Sequence, residues 1–386
     1  MSKAIFEEFD GYQGIVDEID FSRKHGIDYS VYRGAVSRQI NLLHPVRMGL
    51  RVLDIMEETL STKTLRLVSE NGYLPPFLAG QYMALFLDVD GVRTSRPYSI
   101  SSPPNQTGHY DITVRRVENG RVSNYLLDDV KPGGLLESSG PSGHFYHNPL
   151  FHDPTLVCLA GGSGITPFMS MIRQATQCGL DRRFYLFYGS KTLDEAIFHE
   201  ELNTLSNRFE NIIYIPVIEN PQEGYDGKTG LMTGELIQKT VGDLSEKTFY
   251  LCGPQAMYDF CVPELIGLGI PGRKIRKEVY GPPTHIWKDP AWPPGVKADD
   301  EFRVTVSGSE TIVARAGAPL LTALEDAGLQ VPSLCRSGEC SMCRVKILSG
   351  KVFQPAGVPV RKSDRQFGYV HSCVSYPLED LKILIS

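Results

Sequence analysis

The residues best equipped for chemistry are Cys335, Cys340, Cys343 and Cys373. Four residues separate the first two, two the next pair and 29 the last. Three thiolates on one tight loop, closed by a fourth from a distant strand, make the arrangement that holds a [2Fe–2S] cluster. Ser337 and Gly338 let the loop backbone turn closely enough for its N–H groups to donate to cluster sulfurs, which tunes the potential. Structural zinc and disulfides are the competing uses of such cysteines. Zinc sites usually bring two short Cys-x-x-Cys pairs, and here only Cys340 and Cys343 form one. Disulfides call for an oxidising compartment, and Cys158, Cys178, Cys252 and Cys261 show no framework spacing. A cluster moves one electron at a time, so the rest of the chain has to supply the electrons.

A second set is Arg96-Pro97-Tyr98-Ser99. On an extended strand Arg96 and Tyr98 share one face, and Ser99 stays within reach of a ligand at the strand end. The set suits a flavin: a guanidinium for pyrophosphate, a phenol ring against the isoalloxazine, a hydroxyl toward the reactive ring nitrogen. After a strand through Arg115, Gly120-Arg121-Val122-Ser123 looks like a turn opening a helix, whose N-terminal N–H groups can hold a phosphate. Ser123 also reads as a plain helix N-cap. The third set is Gly161-Gly162-Ser163-Gly164-Ile165-Thr166-Pro167, between a buried-strand run from Thr155 and a helical pattern from Phe168. Thr166 reads as the N-cap and Pro167 as the first helical residue, with glycines that let backbone approach a pyrophosphate. Cys252-Gly253-Pro254 follows a later strand.

Alternating or apolar runs at 51–56, 64–68, 82–87 and 110–115, with turn residues between them, predict an antiparallel β-barrel over 50–150. Over 151–281, strands at 183–188, 211–217 and 248–252 alternate with helices, one of them from Asp194 to Leu202, and predict a parallel α/β sheet. Residues 282–300 hold both tryptophans and many prolines, and predict an extended linker pinned by Trp287 and Trp292. Over 301–386 a hairpin, a helix from Pro319 to Gly328, the cysteine loop and a strand from Val345 to Val352 follow one another. Met342 is expected to alter packing near the cluster. Residues 1–49 predict a turn at Asp20–Tyr29 and a short helix from Val36, in a surface extension packed on the next domain, with a docking or oligomerisation element as the alternative.

Arg-x-Tyr-Ser with Gly-x-x-Ser resembles the flavin domain of the ferredoxin–NADP reductase family, and Gly-Gly-x-Gly-Ile-Thr-Pro with Cys-Gly-Pro-x-x-Met resembles its nicotinamide domain. The last segment resembles plant-type ferredoxins, which implies an α+β, β-grasp-like fold. The order of the three modules resembles single-chain oxygenase reductases of the phthalate dioxygenase reductase type. The resemblance implies FAD at Arg96, Pro97, Tyr98, Ser99, Arg115, Gly120, Val122 and Ser123. It implies a pyridine nucleotide at Gly161, Gly162, Gly164, Thr166, Pro167, Cys252, Gly253 and Pro254. Thr166 and Cys252 would flank the nicotinamide, and Glu278 would be the acidic residue near the flavin, so that Ser99, Cys252 and Glu278 form the catalytic set. NADH is expected over NADPH, because one Lys191 stands against Glu219, which would accept from a free ribose hydroxyl and repel a 2'-phosphate.

The expected activity is that of an NADH-dependent reductase passing electrons through FAD and the cluster to a separate metalloprotein. An electron-transfer subunit of a larger complex and a cluster-based redox sensor are the alternatives. The first, seen beside dihydroorotate dehydrogenase, places its fourth cysteine close behind the third, unlike the 29-residue gap here. A net charge of -6 gives no case for nucleic acid or an anionic membrane. No apolar run approaches the ~20 residues of a membrane span. An acidic N-terminal stretch without an apolar core is no signal peptide, and cytoplasmic location is expected. Acidic and basic residues of the last segment nearly balance, so composition does not point to a partner.

Overall fold

The computed structural model describes residues 10–26, 34–283, 285–356, 358 and 360–385. Two units separate at Val46 and Arg47. The first holds α1 (Tyr12–Lys24) and α2 (Ala35–Leu43), neither with a buried residue. The turn expected at Asp20 is instead the end of α1, where Arg23 and Lys24 complement the helix dipole; Ile27 to Tyr29 lie outside the described residues.

In the second unit, β1 (Met48–Thr59), β2 (Thr62–Ser69), β3 (Tyr82–Val89), β4 (Val92–Ser99), β5 (Tyr110–Arg115) and β6 (Leu135–Ser138) form an antiparallel sheet in the order β4-β3-β6-β1-β2-β5. A bridge between Ile100 and Ile112 brings the two edges together and closes the barrel. Leu50, Leu65, Leu67, Met83, Leu85, Ile100 and Ile112 fill it. Helix α3 (Arg121–Asp128) packs Leu126 and Val122 into the same core.

Next come β7 (Thr155–Gly161), α4 (Thr166–Cys178), β8 (Arg183–Ser190), α5 (His199–Arg208), β9 (Ile212–Ile218), β10 (Lys228–Thr229), α6 (Gly234–Val241), β11 (Lys247–Cys252), α7 (Gln255–Gly267) and β12 (Ile275–Glu278). Their strands form a parallel sheet in the order β10-β9-β8-β7-β11-β12. The chain builds outward from β7 through β8, then returns to β11 on its other side. That reversal opens a crevice at the carboxyl ends of β7 and β11, the usual place for a ligand in such sheets. Helix α5 starts at His199 rather than Asp194, because Phe198 takes a left-handed conformation (φ 60) before it.

The last segment contains β13 (Glu301–Val306), β14 (Thr311–Arg315), α8 (Leu320–Asp326), β15 (Arg344–Ser349), β16 (Val352–Phe353), α9 (Lys362–Gln366), β17 (Tyr369–His371), β18 (Tyr376–Pro377) and β19 (Leu381–Ile385). Five of these strands form one sheet in the order β14-β13-β19-β15-β17, and β16 pairs with β18. The single strand expected from Val345 to Val352 is broken at Gly350 (φ 91), which hands the chain from one sheet to the other. Residues 282–300 are not extended. Ile286 to Lys288 form a 3₁₀ turn, and Ile286 is buried against Phe353 and Tyr376. Trp292 packs edge-on to Phe353 at 5.1 Å, whereas Trp287 is 40% exposed and anchors little.

Candidate active site

The flavin set converges. Arg96, Pro97, Tyr98 and Ser99 at the end of β4, Arg115 at the end of β5, and Gly120, Val122 and Ser123 around the start of α3 line one cavity of about 410 Å³. Thr166 and Tyr280 line it on one side, Arg336 and Cys373 on another. Helix α3 is capped by Gly120 and not by Ser123, which lies in the first turn. There its Oγ accepts from the Val117 N–H at 3.1 Å and holds the turn shut. The Arg96 and Arg336 guanidiniums donate to the same acceptors, Thr94 Oγ1 and the Ser95 carbonyl. Burial and then the neighbouring Arg336 lower the Arg96 pKa to about 10. Two guanidiniums facing the single carboxylate of Glu325 leave positive charge at this wall, which fits an anionic phosphate.

A second cleft, of about 580 Å³, shares Arg115, Ser163, Tyr280 and Gly281 with the first. Gly161, Gly162, Gly253 and Pro254 line it, and Ser190, Lys191 and Glu219 stand at the ends of β8 and β9. The glycines do something the sequence does not announce. A Cβ on Gly164 would lie 1.9 Å from the Cys252 carbonyl oxygen, so this residue lets the two nucleotide-side loops touch each other. Gly162, at φ 54, takes a left-handed turn beside Arg115. Gly162 to Ile165 form a 3₁₀ turn, so Thr166 and Pro167 are the first two residues of α4, one position later than expected. Thr166 Oγ1 donates to the Ser163 carbonyl at 3.0 Å. Ser190 Oγ is buried without a hydrogen-bond partner among the described residues, which fits a ligand hydroxyl.

Tyr280 escaped the sequence reading. Its hydroxyl lies 2.7 Å from Ser99 Oγ, and the residue lines both cavities, so one phenol spans the two clefts. Tyr280 lies just beyond the end of β12 and in none of the motifs, and its role depends on Ser99 in another module. Cys252 is fully buried, and burial pushes its thiol well above the usual range. The structure places Glu278 beside Cys252 in the sheet register, but on the wall of a third cleft of about 930 Å³ with Glu339 and Ser337. Burial, then Glu339 and Cys335, push its pKa up to about 8.

The four thiols come as two couples, Cys335 beside Cys340 and Cys343 beside Cys373, each neighbour shifting the pKa of the other. The Cys340 N–H donates to Cys335 Sγ at 3.3 Å. Within each couple one thiol is drawn below its ordinary pKa and the other pushed above it. Two couples fit two irons. Gly338 turns the loop at φ 86, and Arg336 (φ 55) and Ser341 (φ 58) adopt the same left-handed region without being glycine. His371, fully buried, donates from Nδ1 to the Gly338 carbonyl at 2.7 Å and anchors the loop. Met342 is 44% exposed and points away from the packing it was expected to alter.

The cysteine loop is docked on the flavin barrel. The Arg336 guanidinium forks onto both carboxylate oxygens of Glu325 at 2.8 and 2.7 Å, with both side chains 7% exposed. Ser95 Oγ meets the Ser333 hydroxyl and carbonyl, and Arg121 pairs with Asp326 at 2.8 Å.

Three family models match in chain order: an oxidoreductase FAD-binding domain over residues 54–147, an oxidoreductase NAD-binding domain over 158–262, and a 2Fe-2S iron-sulfur cluster binding domain over 304–378. NADH oxidoreductase HCR of Escherichia coli (strain K12) is 30% identical, over 86% of this chain and 96% of that protein. A glycine betaine monooxygenase reductase subunit of Pseudomonas aeruginosa (strain UCBPP-PA14) is 29% identical, over 89% of this chain and 99% of its own. Phthalate dioxygenase reductase is a structural neighbour with a TM-score of 0.64 and 26% identity, covering 88% of this chain and 98% of that one. The chain therefore belongs to the ferredoxin–NADP reductase-like flavoproteins fused to a C-terminal plant-type [2Fe–2S] domain, oxidoreductases that use FAD, a pyridine nucleotide and the cluster.

Proposed function

We propose that this protein takes electrons from NADH and delivers them singly to a separate acceptor metalloprotein, through modules at 50–150, 151–281 and 301–386. The observation that carries the reading is the flavin cavity: Thr166 and Tyr280 stand on its nucleotide side, Arg336 and the thiol of Cys373 on its cluster side. Arg96, Tyr98 and Ser99 would hold a flavin there, which would supply the exchange between a hydride's electron pair and single electrons.

The chain's residues bind, orient and tune. Arg96 and the open end of α3 would hold the flavin phosphates, and Tyr98 offers its ring to the isoalloxazine. Ser99 and Tyr280 share one hydrogen bond, so a hydroxyl proton can be redirected to a ligand when the phenol moves. Cys252, protonated through burial, adds no negative charge beside the nicotinamide. Glu278, with its pKa raised to about 8, keeps its proton at neutral pH and so adds none beside the cluster loop. Cys335, Cys340, Cys343 and Cys373 would hold the cluster. NADH is favoured by the Glu219 carboxylate and the buried Ser190 hydroxyl at the ends of β9 and β8, against one Lys191. Relatives named as reductase subunits or components of monooxygenases support a separate oxygenase as the acceptor.

The test is an anaerobic titration of the protein reconstituted with FAD, iron and sulfide. NADH at stoichiometric amounts is expected to bleach both the flavin and the cluster absorption, and NADPH to do so much more slowly. Flavin bleaching with a cluster that stays oxidised would refute the electron route, and equal rates with both nucleotides would refute the preference.

A further inference from the structure

The balance of charges in the last segment hides their placement. Asp380 is spent on Arg303 at 2.9 Å and Glu301 on Arg315 at 3.3 Å, while Glu325 and Asp326 face the flavin barrel through Arg336 and Arg121. Of this segment's cations with no ion pair among the described residues, Lys351 lies before β16 and Lys382 on β19, and the others gather on and beside α9. Arg361, Lys362 and Arg365 are exposed and make no ion pair among the described residues, and Lys346 lies 5.9 Å over the Tyr369 ring. The acid of this helix, Asp364, is buried and receives the Arg344 guanidinium at 3.1 Å, so it does not offset them. Phe367, at the end of α9, is 62% exposed.

Helix α9 is joined through Asp364 and Arg344 to the strand that leaves the cysteine loop. Arg344 follows the ligand Cys343 directly, and its strand registers against His371 in β17, two residues before the ligand Cys373. The Gly368 carbonyl accepts from the Ile347 N–H at 2.9 Å. Helix α9 is thus tied to the segments that present one couple of thiols. Met342, 44% exposed, is the apolar residue between two ligands. The large cleft by Glu339 differs, because Arg276, Lys277 and Lys288 there stand against Asp259, Glu339 and Asp289.

We propose that the outer face of α9, with Arg361, Lys362 and Arg365 around Phe367, is the surface on which the electron-accepting protein docks. That acceptor carries an acidic patch beside its redox centre. Like charges exclude a basic partner, and an exposed aromatic amid cations gives the contact an apolar centre with a charged rim. The inference rests on the reductase reading of the preceding section.

The test uses the reconstituted full chain and acidic cytochrome b5 as the probe acceptor, with the neutral quinone menadione as a control that needs no docking. Arg361→Glu/Lys362→Glu/Arg365→Glu is expected to lower kcat/KM for cytochrome b5 by roughly tenfold or more at low ionic strength, where steering is strongest. Added salt should lower the wild-type rate as well. Menadione reduction by NADH should not change. Binding of oxidised cytochrome b5, measured by interferometry without turnover, should weaken in parallel. Lys362→Gln/Arg365→Gln, which removes charge without reversing it, should fall between the two. Cytochrome b5 kinetics or binding that ignore the reversal, or wild-type rates flat with salt, would overturn the docking surface. A wild-type chain that reduces menadione with neither nucleotide would refute the reductase reading instead, and the interferometry would still decide the surface.

Discussion

At the scale of single residues, Arg336 is the side chain with most at stake. It follows the ligand Cys335, holds a left-handed backbone conformation and places its guanidinium between Glu325 and the β4 backbone of the flavin barrel. A buried pair is worth little over an apolar pair of similar volume, but breaking it strands a buried charge. Arg336→Ala is therefore expected to destabilise the protein by about 3–5 kcal/mol, read as a fall in the denaturant midpoint. Arg336→Met with Glu325→Leu should restore most of that loss. A single variant as stable as wild type would show that Glu325 finds another partner. The grouping of the four cysteines was legible because their spacing is a local signal. Arg336 and Tyr280 were not, since their roles depend on residues hundreds of positions or one domain away, such as Thr94 and Ser99.

At the scale of elements, the segment joining β6 to β7 carries a titratable contact. His152 Nδ1 accepts from the Asn148 N–H at 3.0 Å and lies 2.6 Å from the Tyr250 hydroxyl, so it is held neutral. His147 stacks edge-on 5.8 Å away and also has its pKa lowered, chiefly by burial. Both folded pKa values lie below the ordinary 6.5, so below that pH the unfolded chain binds more protons than the folded one. Stability should then fall as pH drops from 7 toward 5, and His147→Gln/His152→Gln should flatten that slope in calorimetric melts. An unchanged slope in the double variant would show that other groups govern acid sensitivity. Strand and helix identities were largely readable from periodicity. Helix starts slipped at Thr166, His199 and Gly120, because a 3₁₀ turn, a left-handed Phe198 and a glycine cap override the side-chain signals. The fingerprint glycines were recognised, yet the contact of Gly164 with Cys252 required both loops in three dimensions.

At the scale of the molecule, three modules meet at one cavity, which belongs to the first module of the chain and is lined by residues of the other two. Among the described residues no helix is long and apolar enough to cross a membrane. The flavin cavity lies between Thr166 of the second module and Cys373 of the third, so it is complete only when all three are present. Cys340 belongs to the couple whose residues do not line that cavity, so replacing it should spare the flavin while disabling the cluster. The most direct measurement is stopped-flow absorbance of Cys340→Ala mixed with NADH and then with cytochrome c. The predicted result is flavin reduction at the wild-type rate with electron delivery to the cytochrome lost. Delivery at the wild-type rate without the cluster would contradict the account.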